Sequence, residues 1–509
     1  MRTGEVHRGR PDEPRGVEFV EVSTDAGAVR GRWRSTTGGR GLPRSAAFLG
    51  IPIAEAPVGE LRFAAPVPKA PWQGCLDVLD YGATAQRGDP GITLIPEPSV
   101  EGSSTLNVNV FTPTPGAPAE KALPVLVWIH GGGFTAGSPA SPWYDGRNFN
   151  RDGVVTVTIS YRLGFDGFGW IEGAPSNRGV RDWLHALEWV QRNIAAFGGD
   201  PGRVTIAGQS AGGGAVLTLL GMECAQHLFH GVYAISGAVA DVPVARARAF
   251  SEGLAREAGV EPTRAGFASL PEERILQIQK KAADLGPEAL TEVVENGLPL
   301  GPVVDGELIL RPTAESLRQG IGVGKPLVLG ATDDEFTMAF TQAEDALRWV
   351  PQFLLLKKLG LRGKVRPQYL RDNSDVAALG KVRLAGRLLT DRMFRVGVLT
   401  TAAARGQAST WVYRFSWPSG TFGFAEHCVD VPFFFDCLDG PAMEPLAGPN
   451  PPQALADEVH AAAVRFVTHG EAGWPRYDEE TRISRVYDVP SRDMPDAYAS
   501  VAALVSSPA

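Results

Sequence analysis

Residues 203–221, RVTIAGQSAGGGAVLTLLG, join a β-branched apolar run to an alanine- and leucine-rich one, with a glycine-flanked serine at the junction. Gly208-Gln209-Ser210-Ala211-Gly212 fits G-x-S-x-G, a turn in which a strand passes so sharply into a helix that the serine hydroxyl stands above the sheet edge. The glycines have a steric role, because a β-carbon at 208 or 212 would collide across the turn. Gly212, Gly213 and Gly214 then enter a helix at about 1 kcal/mol each relative to alanine. Close helix-on-sheet packing, and backbone amides aimed at a reacting atom from a partly positive helix N-terminus, would offset that cost. Alone, the motif is equally a chance glycine-rich turn, so the flanking sequence decides.

On both sides of it, strand-like and helical patterns alternate. LPVLVWI (123–129) and VVTVTIS (154–160) are nearly continuous apolar runs suited to strands buried on both faces, whereas LNVNVF (106–111) alternates like a half-buried strand. In RDWLHALEWVQRNIAAFGG (181–199), Trp183, Leu187, Val190, Ile194 and Phe197 recur at helical spacing, and Gly198-Gly199 supply the stop. Further strands are expected at 231–236, 326–330 and 411–415, with helices around 246–258, 313–319 and 382–405. EFVEVSTDAGAVRG (18–31) reads as an edge hairpin. The fold class is therefore α/β, a mostly parallel central sheet flanked by helices. It forms one domain over 18–505 behind a flexible N-terminal arm, 1–17. Two stretches stand apart. Phe48–Pro66, FLGIPIAEAPVGELRFAAP, is too rich in Pro and Gly for helix or central strand and too apolar for a solvated linker, so it is expected to lie over the core, as simple structural packing first and as the wall of a pocket in the alternative. Residues 338–381, mixed apolar and basic, read as a cap insertion or an excursion.

Lys and Arg number 49 against 57 Asp and Glu, a net charge of −8, without basic runs, so nucleic acid is not an expected partner. The opening MRTGEVHRGRPDEPRGVEF lacks an apolar signal-like core, and no later stretch approaches the roughly 18 apolar residues of a membrane span. Cys75, Cys224, Cys428 and Cys437 are irregularly spaced and form no C-x-x-C pair. A reducing cytoplasm is the expected compartment, the alternative being export with one Cys428–Cys437 disulfide. No sequence feature specifies an oligomeric state.

A serine hydroxyl becomes a nucleophile at neutral pH only beside a base, usually a histidine held in one tautomer by a carboxylate. In G-x-S-x-G proteins these follow in the order Ser, Asp or Glu, His, which leaves His427, His460 and His469 as candidate bases. His460 lies within the helical run 453–467 and His469 at its end. His427 sits in a glycine- and proline-bounded loop, TFGFAEHCVDVPFFF, beyond the strand WVYRF, where α/β sheets build their sites. For the acid, PLVLGATDDEF offers Asp333, Asp334 and Glu335 in a row, and their order alone does not choose among them. HGGGF, His130 to Phe134, follows the strand LPVLVWI and matches the element that supplies backbone N–H donors to a reaction oxyanion, joined by the Ala211 amide after the serine. His130 precedes these donors and is read as structural. The ordered set points to a serine hydrolase.

The chain resembles the type-B carboxylesterase (carboxylesterase/cholinesterase) branch of the α/β hydrolases, particularly its bacterial para-nitrobenzyl-esterase-like members. FLGIPIAEAPVGELRF, LNVNVFTP, VWIHGGGF, SYRLGFDGF, the long NRGVRDWLHALEWVQRNIAAFGGDPGRVTIAGQSAGG, GATDDEF, AEHCVDVPF and WPRYD carry the likeness over roughly residues 18 to 490. The resemblance implies the α/β-hydrolase fold, a triad of Ser210, Glu335 and His427, and an oxyanion hole from Gly132, Gly133 and Ala211. It implies hydrolysis of carboxylic esters through an acyl-enzyme, with no cofactor and no metal, and the apolar residues near the motifs, including Phe134, Phe336 and Phe433 to Phe435, suit small apolar or aryl esters. Amide or carbamate cleavage or acyl transfer by the same triad is the alternative, and a non-catalytic binding protein of this fold a more distant one. Gln209 stands where the family commonly has Glu, which removes a charge and with it attraction for cationic substrates. Phe336 replaces the glycine after the acid, Ser104 stands where a disulfide cysteine often lies, and Ser160 and Trp183 replace an Asn and a Gln. Phe134, Gln209 and Phe336 are the candidate pocket residues.

Overall fold

The structure, a computed structural model, describes residues 18–39, 41–88, 94–282 and 296–505. The expected arm, 1–17, lies outside the described residues. In chain order the strands are β1 (Phe19–Ser23), β2 (Ala28–Ser35), β3 (Arg44–Pro52), β4 (Cys75–Asp77), β5 (Asn107–Thr112), β6 (Leu123–Ile129), β7 (Val155–Ile159), β8 (Gly199–Gln209), β9 (Gly231–Ile235), β10 (Val242–Pro243), β11 (Val303–Val304), β12 (Leu327–Thr332), β13 (Thr410–Phe415), β14 (Ser484–Tyr487) and β15 (Arg492–Met494). Thirteen form one sheet in the order β1-β2-β3-β5-β7-β6-β8-β9-β12-β13-β14-β15, with β4 beside β2, while β10 and β11 pair separately. From β7 to β14 every pairing is parallel, and antiparallel strands complete both margins.

The continuous apolar run of β6 is explained by what covers it. Val125, Val127 and Ile129 pack into one core with Trp183, Leu187 and Val190 of the helix Arg178–Asn193. Leu126 and Trp128 point the other way, into a second core with Val459, Ala463 and Phe466 of the helix Gln453–His469. Successive side chains alternate between faces, so a strand helix-covered on both sides needs apolar residues at every position. The helix Arg178–Asn193 runs into a 3-10 turn, Ile194–Phe197, and ends at Gly198 with φ +79°, the expected stop.

Three expectations are corrected. Phe48–Pro52 belongs to an interior strand, β3, despite its glycine and proline. The register shifts between Phe48 and Ile51, Gly50 takes φ +73° there and donates its N–H to Asn109 Oδ1 at 2.8 Å, and Pro52 falls at the strand end. LNVNVF is not half-exposed: β5 is buried throughout, Asn107 Nδ2 donating to the Ala83 and Ser104 carbonyls and Asn109 Nδ2 to Thr158 Oγ1. The helical stretch near 382–405 is Lys381–Thr390, a π turn Asp391–Arg395, and Val396–Arg405. β14 and β15 were not anticipated. Residues 338–381 fold as short helices around a separate apolar cluster, including Phe340, Leu355, Leu356, Leu359 and Tyr369, closed by Leu384 and Leu388. All four cysteines are free, so Cys428 and Cys437, both buried, are not bridged. Among the described residues no helix is long and apolar enough to cross a membrane.

The glycines after Ser210 are explained by close approach. A β-carbon at Gly212 would overlap the Ile129 carbonyl oxygen, one at Gly213 would stand 2.7 Å from the Ile235 oxygen, and one at Gly214 would overlap the Ala238 oxygen. Helix propensity alone makes Gly214→Ala stabilising by about 1 kcal/mol. The overlap with main chain reverses the sign, and equilibrium unfolding in denaturant is expected to show a loss of about 1–3 kcal/mol.

Candidate active site

The parallel strands end together on one edge of the sheet. Ile129 is level with Gly208, Gly208 with Ala234, and Gly330 with both Ile235 and Tyr413. The loops leaving β6, β8, β12 and β13 are therefore neighbours, and they carry HGGGF, Ser210, Asp333 to Glu335, and His427.

At the elbow Ser210 has φ +57° and ψ −121°, a conformation that residues with a β-carbon rarely adopt. Main-chain bonds hold it there. Its N–H donates to the Ile235 carbonyl at 2.9 Å, and its own carbonyl accepts from Gly214 at 2.9 Å and Ala238 at 3.0 Å. The glycine loop lies against it: a β-carbon on Gly131 would be 2.9 Å from the Gln209 carbonyl oxygen and 3.2 Å from Ser210 Cβ. Gly132, Gly133 and Phe134 take φ of +97°, +60° and +63°, while the Gly132 carbonyl accepts from the Thr135 and Ala136 amides at 3.0 and 2.9 Å. Among the described residues, neither Gly132 nor Gly133 donates its N–H to a protein acceptor. Ala211 opens the helix Ala211–Leu220, so its N–H has no acceptor within that helix. His130 is structural: it is stacked on Tyr161 with centroids 4.5 Å apart, and burial pulls its imidazole down to about 4, leaving it neutral.

The three consecutive acids have three different partners. Burial alone would raise the Asp333 carboxyl, but Arg414 at 2.5 and 2.8 Å outweighs it and holds the group well below the usual carboxylate range. Asp334 faces Arg387 at 3.0 Å and Arg383 at 3.4 Å. Glu335, fully buried, accepts the Thr332 N–H on Oε1 at 2.9 Å and the His427 Nδ1–H on Oε2, and its carbonyl accepts the His427 main-chain N–H at 3.1 Å. Of the candidate bases only His427 meets an acid of this loop. His460 Nδ1 bonds the Phe434 carbonyl at 2.7 Å and Nε2 lies 3.1 Å from Asp152, whereas exposed His469 ends its helix before Gly470.

Two aromatic rings, themselves 5.6 Å apart, pack against His427 as well. Phe336 stacks on it with centroids 4.8 Å apart and Phe394, from the π turn, lies at 5.2 Å. Nε2 is met by Gln209 Nε2 at 3.1 Å, and among the described residues no hydrogen bond joins Ser210 Oγ to the imidazole. Of the candidate pocket residues, Phe134 is fully buried against Phe168 and Trp183, Phe336 is half-buried on the imidazole, and Gln209 is buried between the imidazole and Gly131. A cavity of about 1040 Å³ opens beside the glycine loop, lined by Thr135 and Ala136 together with Pro57, Val58 and Arg62, so part of the segment Phe48–Pro66 lines a cavity as well as packing on the core. Phe394 carries no mark in the helical pattern of its stretch, and Glu426 and Asp430 flank His427 with only their place in the sequence to single them out. Burial pushes Glu426 up to about 8 and Asp430 up to about 7, the latter helped by the nearby Glu335 charge.

Residues 18–491 match the carboxylesterase family. The chain belongs to the carboxylesterase family. Para-nitrobenzyl esterase of Bacillus subtilis is 32% identical over 92% of this chain and 94% of its own, and fumonisin B1 esterase of Sphingopyxis macrogoltabida 30% identical over 86% and 82%. Among solved structures, Geobacillus stearothermophilus carboxylesterase EST55 superposes with a TM-score of 0.80 at 32% identity, covering 95% of this chain and 99% of that one. A PNB esterase superposes at 0.81 and 29%, covering 96% and 99%. The fold is accordingly the α/β-hydrolase fold, and the protein is a serine carboxylesterase. Membership favours ester hydrolysis over amide cleavage, acyl transfer or a purely binding role.

In this carboxylesterase the raised Glu426 carboxyl makes stability depend on pH. Its Oε2 accepts the Met338 N–H at 3.1 Å, while Oε1 is buried with no hydrogen-bond partner among the described residues. Between the ordinary carboxylate value and about 8 the folded chain keeps a proton there that the unfolded chain has lost, so stability falls as pH rises through that window. Glu426→Gln keeps an acceptor for Met338 and cannot ionise. Thermal unfolding at pH 5 and pH 8.5 is expected to show a smaller decline in Tm for the variant than for the parent.

Proposed function

We propose that this carboxylesterase hydrolyses small carboxylic esters with apolar or aryl groups through an acyl-enzyme on Ser210. His427 accepts the Ser210 Oγ proton at Nε2 as Oγ attacks the ester carbonyl carbon, and the carbonyl electron pair moves onto oxygen. The N–H groups of Gly132, Gly133 and Ala211 donate to that oxyanion, aided by the N-terminal end of the helix Ala211–Leu220. The alcohol departs with the proton from Nε2. Water then repeats the sequence on the acyl carbon, returning Ser210. Glu335 keeps Nδ1 protonated, so that Nε2 presents a lone pair, and stabilises the imidazolium that forms. The observation that carries this reading is the pairing of His427 Nδ1 with Glu335 Oε2, which fixes tautomer and ring orientation beside the elbow.

The unit that performs this is read as one domain, 18–505, because a single sheet takes strands from Phe19 to Met494. Residues 338–381 are read as a cap insertion, supported by their separate apolar cluster. Four unpaired thiols support a reducing, cytoplasmic setting.

An aryl ester is expected to give a burst of phenol and an organophosphonate to label one site per chain. Ser210→Ala should lose both, with kcat down about a millionfold, and Glu335→Gln should lower kcat about 10³- to 10⁴-fold at nearly unchanged stability. Turnover and labelling that survive Ser210→Ala would remove Ser210 from this role.

A further inference from the structure

We infer that Gln209 is a positioning residue that latches the resting imidazole through Nε2, and that Ser210 Oγ must displace it before acylation. The inference rests on His427 acting as the base. Glu335 Oε2 takes the Nδ1 proton, so Nε2 of the neutral ring carries a lone pair and its partner must be a donor. Gln209 Nε2 lies 3.1 Å away, with both residues buried. The carboxamide can therefore face the ring only through its NH₂. Its Oε1 turns toward Gly131, where a β-carbon would come within 2.9 Å of it, so the absent side chain of the glycine loop makes the space the carboxamide fills. Phe336 stacks on the ring and Phe394 packs against both, while Glu335 holds Nδ1, so the exchange of partners at Nε2 falls to the carboxamide.

Two donors, Gln209 Nε2–H and Ser210 Oγ–H, compete for one lone pair. When the serine proton crosses to Nε2 during attack, that nitrogen becomes a donor, and a carboxamide still presenting NH₂ would oppose it. The amide must turn its oxygen inward or withdraw. A carboxamide presenting NH₂ to Nε2 is thus matched in hydrogen bonding to the neutral ring. Glutamate at the same position would do the reverse, placing an acceptor and a negative charge against Nε2–H.

Other charges around the ring are common to both forms. Glu335 faces Nδ1. Glu426 and Asp430 lie on the loop of His427 itself, and Asp334 is tied to Arg383 and Arg387, Asp333 to Arg414, and Asp391 to Arg395 on the π turn that carries Phe394. A difference between variants at 209 therefore isolates that position.

The test is the pH profile of kcat/KM on an aryl ester for the parent and Gln209→Glu, with folding verified by thermal unfolding. The acid limb is expected to move upward by about one pH unit or more in Gln209→Glu, the direction set by an opposite charge within about 4–6 Å of the ring. An unmoved or downward-shifted limb would overturn the latch. Nitrogen-15 NMR of the parent labelled in histidine gives a second reading that needs no folded variant at 209, the His427 signals being those lost in His427→Ala. An Nδ1-protonated ring whose Nε2 accepts a hydrogen bond is expected at pH 7, and an Nε2-protonated ring would contradict the proposal. Activity persisting in Ser210→Ala would instead condemn the acyl-enzyme reading, whereas an inert Ser210→Ala with an unmoved limb would condemn the latch alone.

Discussion

Two main chains meet with almost nothing between them where the glycine loop after β6 passes the turn after β8. Gly131 lies against Gln209 and Ser210, and Gly212 lies against the Ile129 carbonyl. This contact holds only while both strands remain parallel neighbours and both turns keep glycine. Much of the surrounding architecture maintains it. The two helix-covered cores fix β6 and β8 from both faces, and the Ser210 main chain is tied to Ile235, Gly214 and Ala238. The strained Ser210 conformation persists because its surroundings leave it no alternative.

Burial then sorts the acids by partner. Asp333, Asp334 and Glu335 are chemically similar and adjacent, yet arginines take the first two and the imidazole takes the third. Among the described residues no arginine or lysine pairs with the neighbouring Glu426 or Asp430, and burial pushes both toward their neutral forms, so they add little negative charge near the ring at mildly acidic pH. A site of this kind is specified as much by the arginines on β13 and the helix Lys381–Thr390 as by the residues that touch substrate.

Much of this was legible in the sequence because it follows from short-range rules. Continuous apolar runs marked β6, β7 and β8, helical spacing marked the helix Arg178–Asn193, and glycine spacing marked both loops. What escaped depends on distant chain. Proline and glycine in FLGIP argued against a strand, but a bulge bonded to Asn109 absorbs them, and Asn109 lies 59 residues away. Asn107 and Asn109 suggested an exposed face because their partners, Ala83, Ser104 and Thr158, come from elsewhere. Local order left Asp333, Asp334 and Glu335 equivalent, since Arg414, Arg383 and Arg387 distinguish them from 49 to 81 residues on. Gln209 was visible as a substitution, but its bond to His427, 218 residues away, was not.

In the proposed mechanism Ser210, the amides of the glycine loop and the ring of His427 surround one reacting carbon. A crystal structure of the chain inhibited by an aryl phosphonate tests this most directly. Phosphorus bonded to Ser210 Oγ is predicted, with one phosphonyl oxygen about 2.7–3.1 Å from the Gly132, Gly133 and Ala211 nitrogens and His427 Nε2 turned from Gln209 toward the adduct. Phosphorus on another residue, or an oxygen pointing away from those amides, would contradict it.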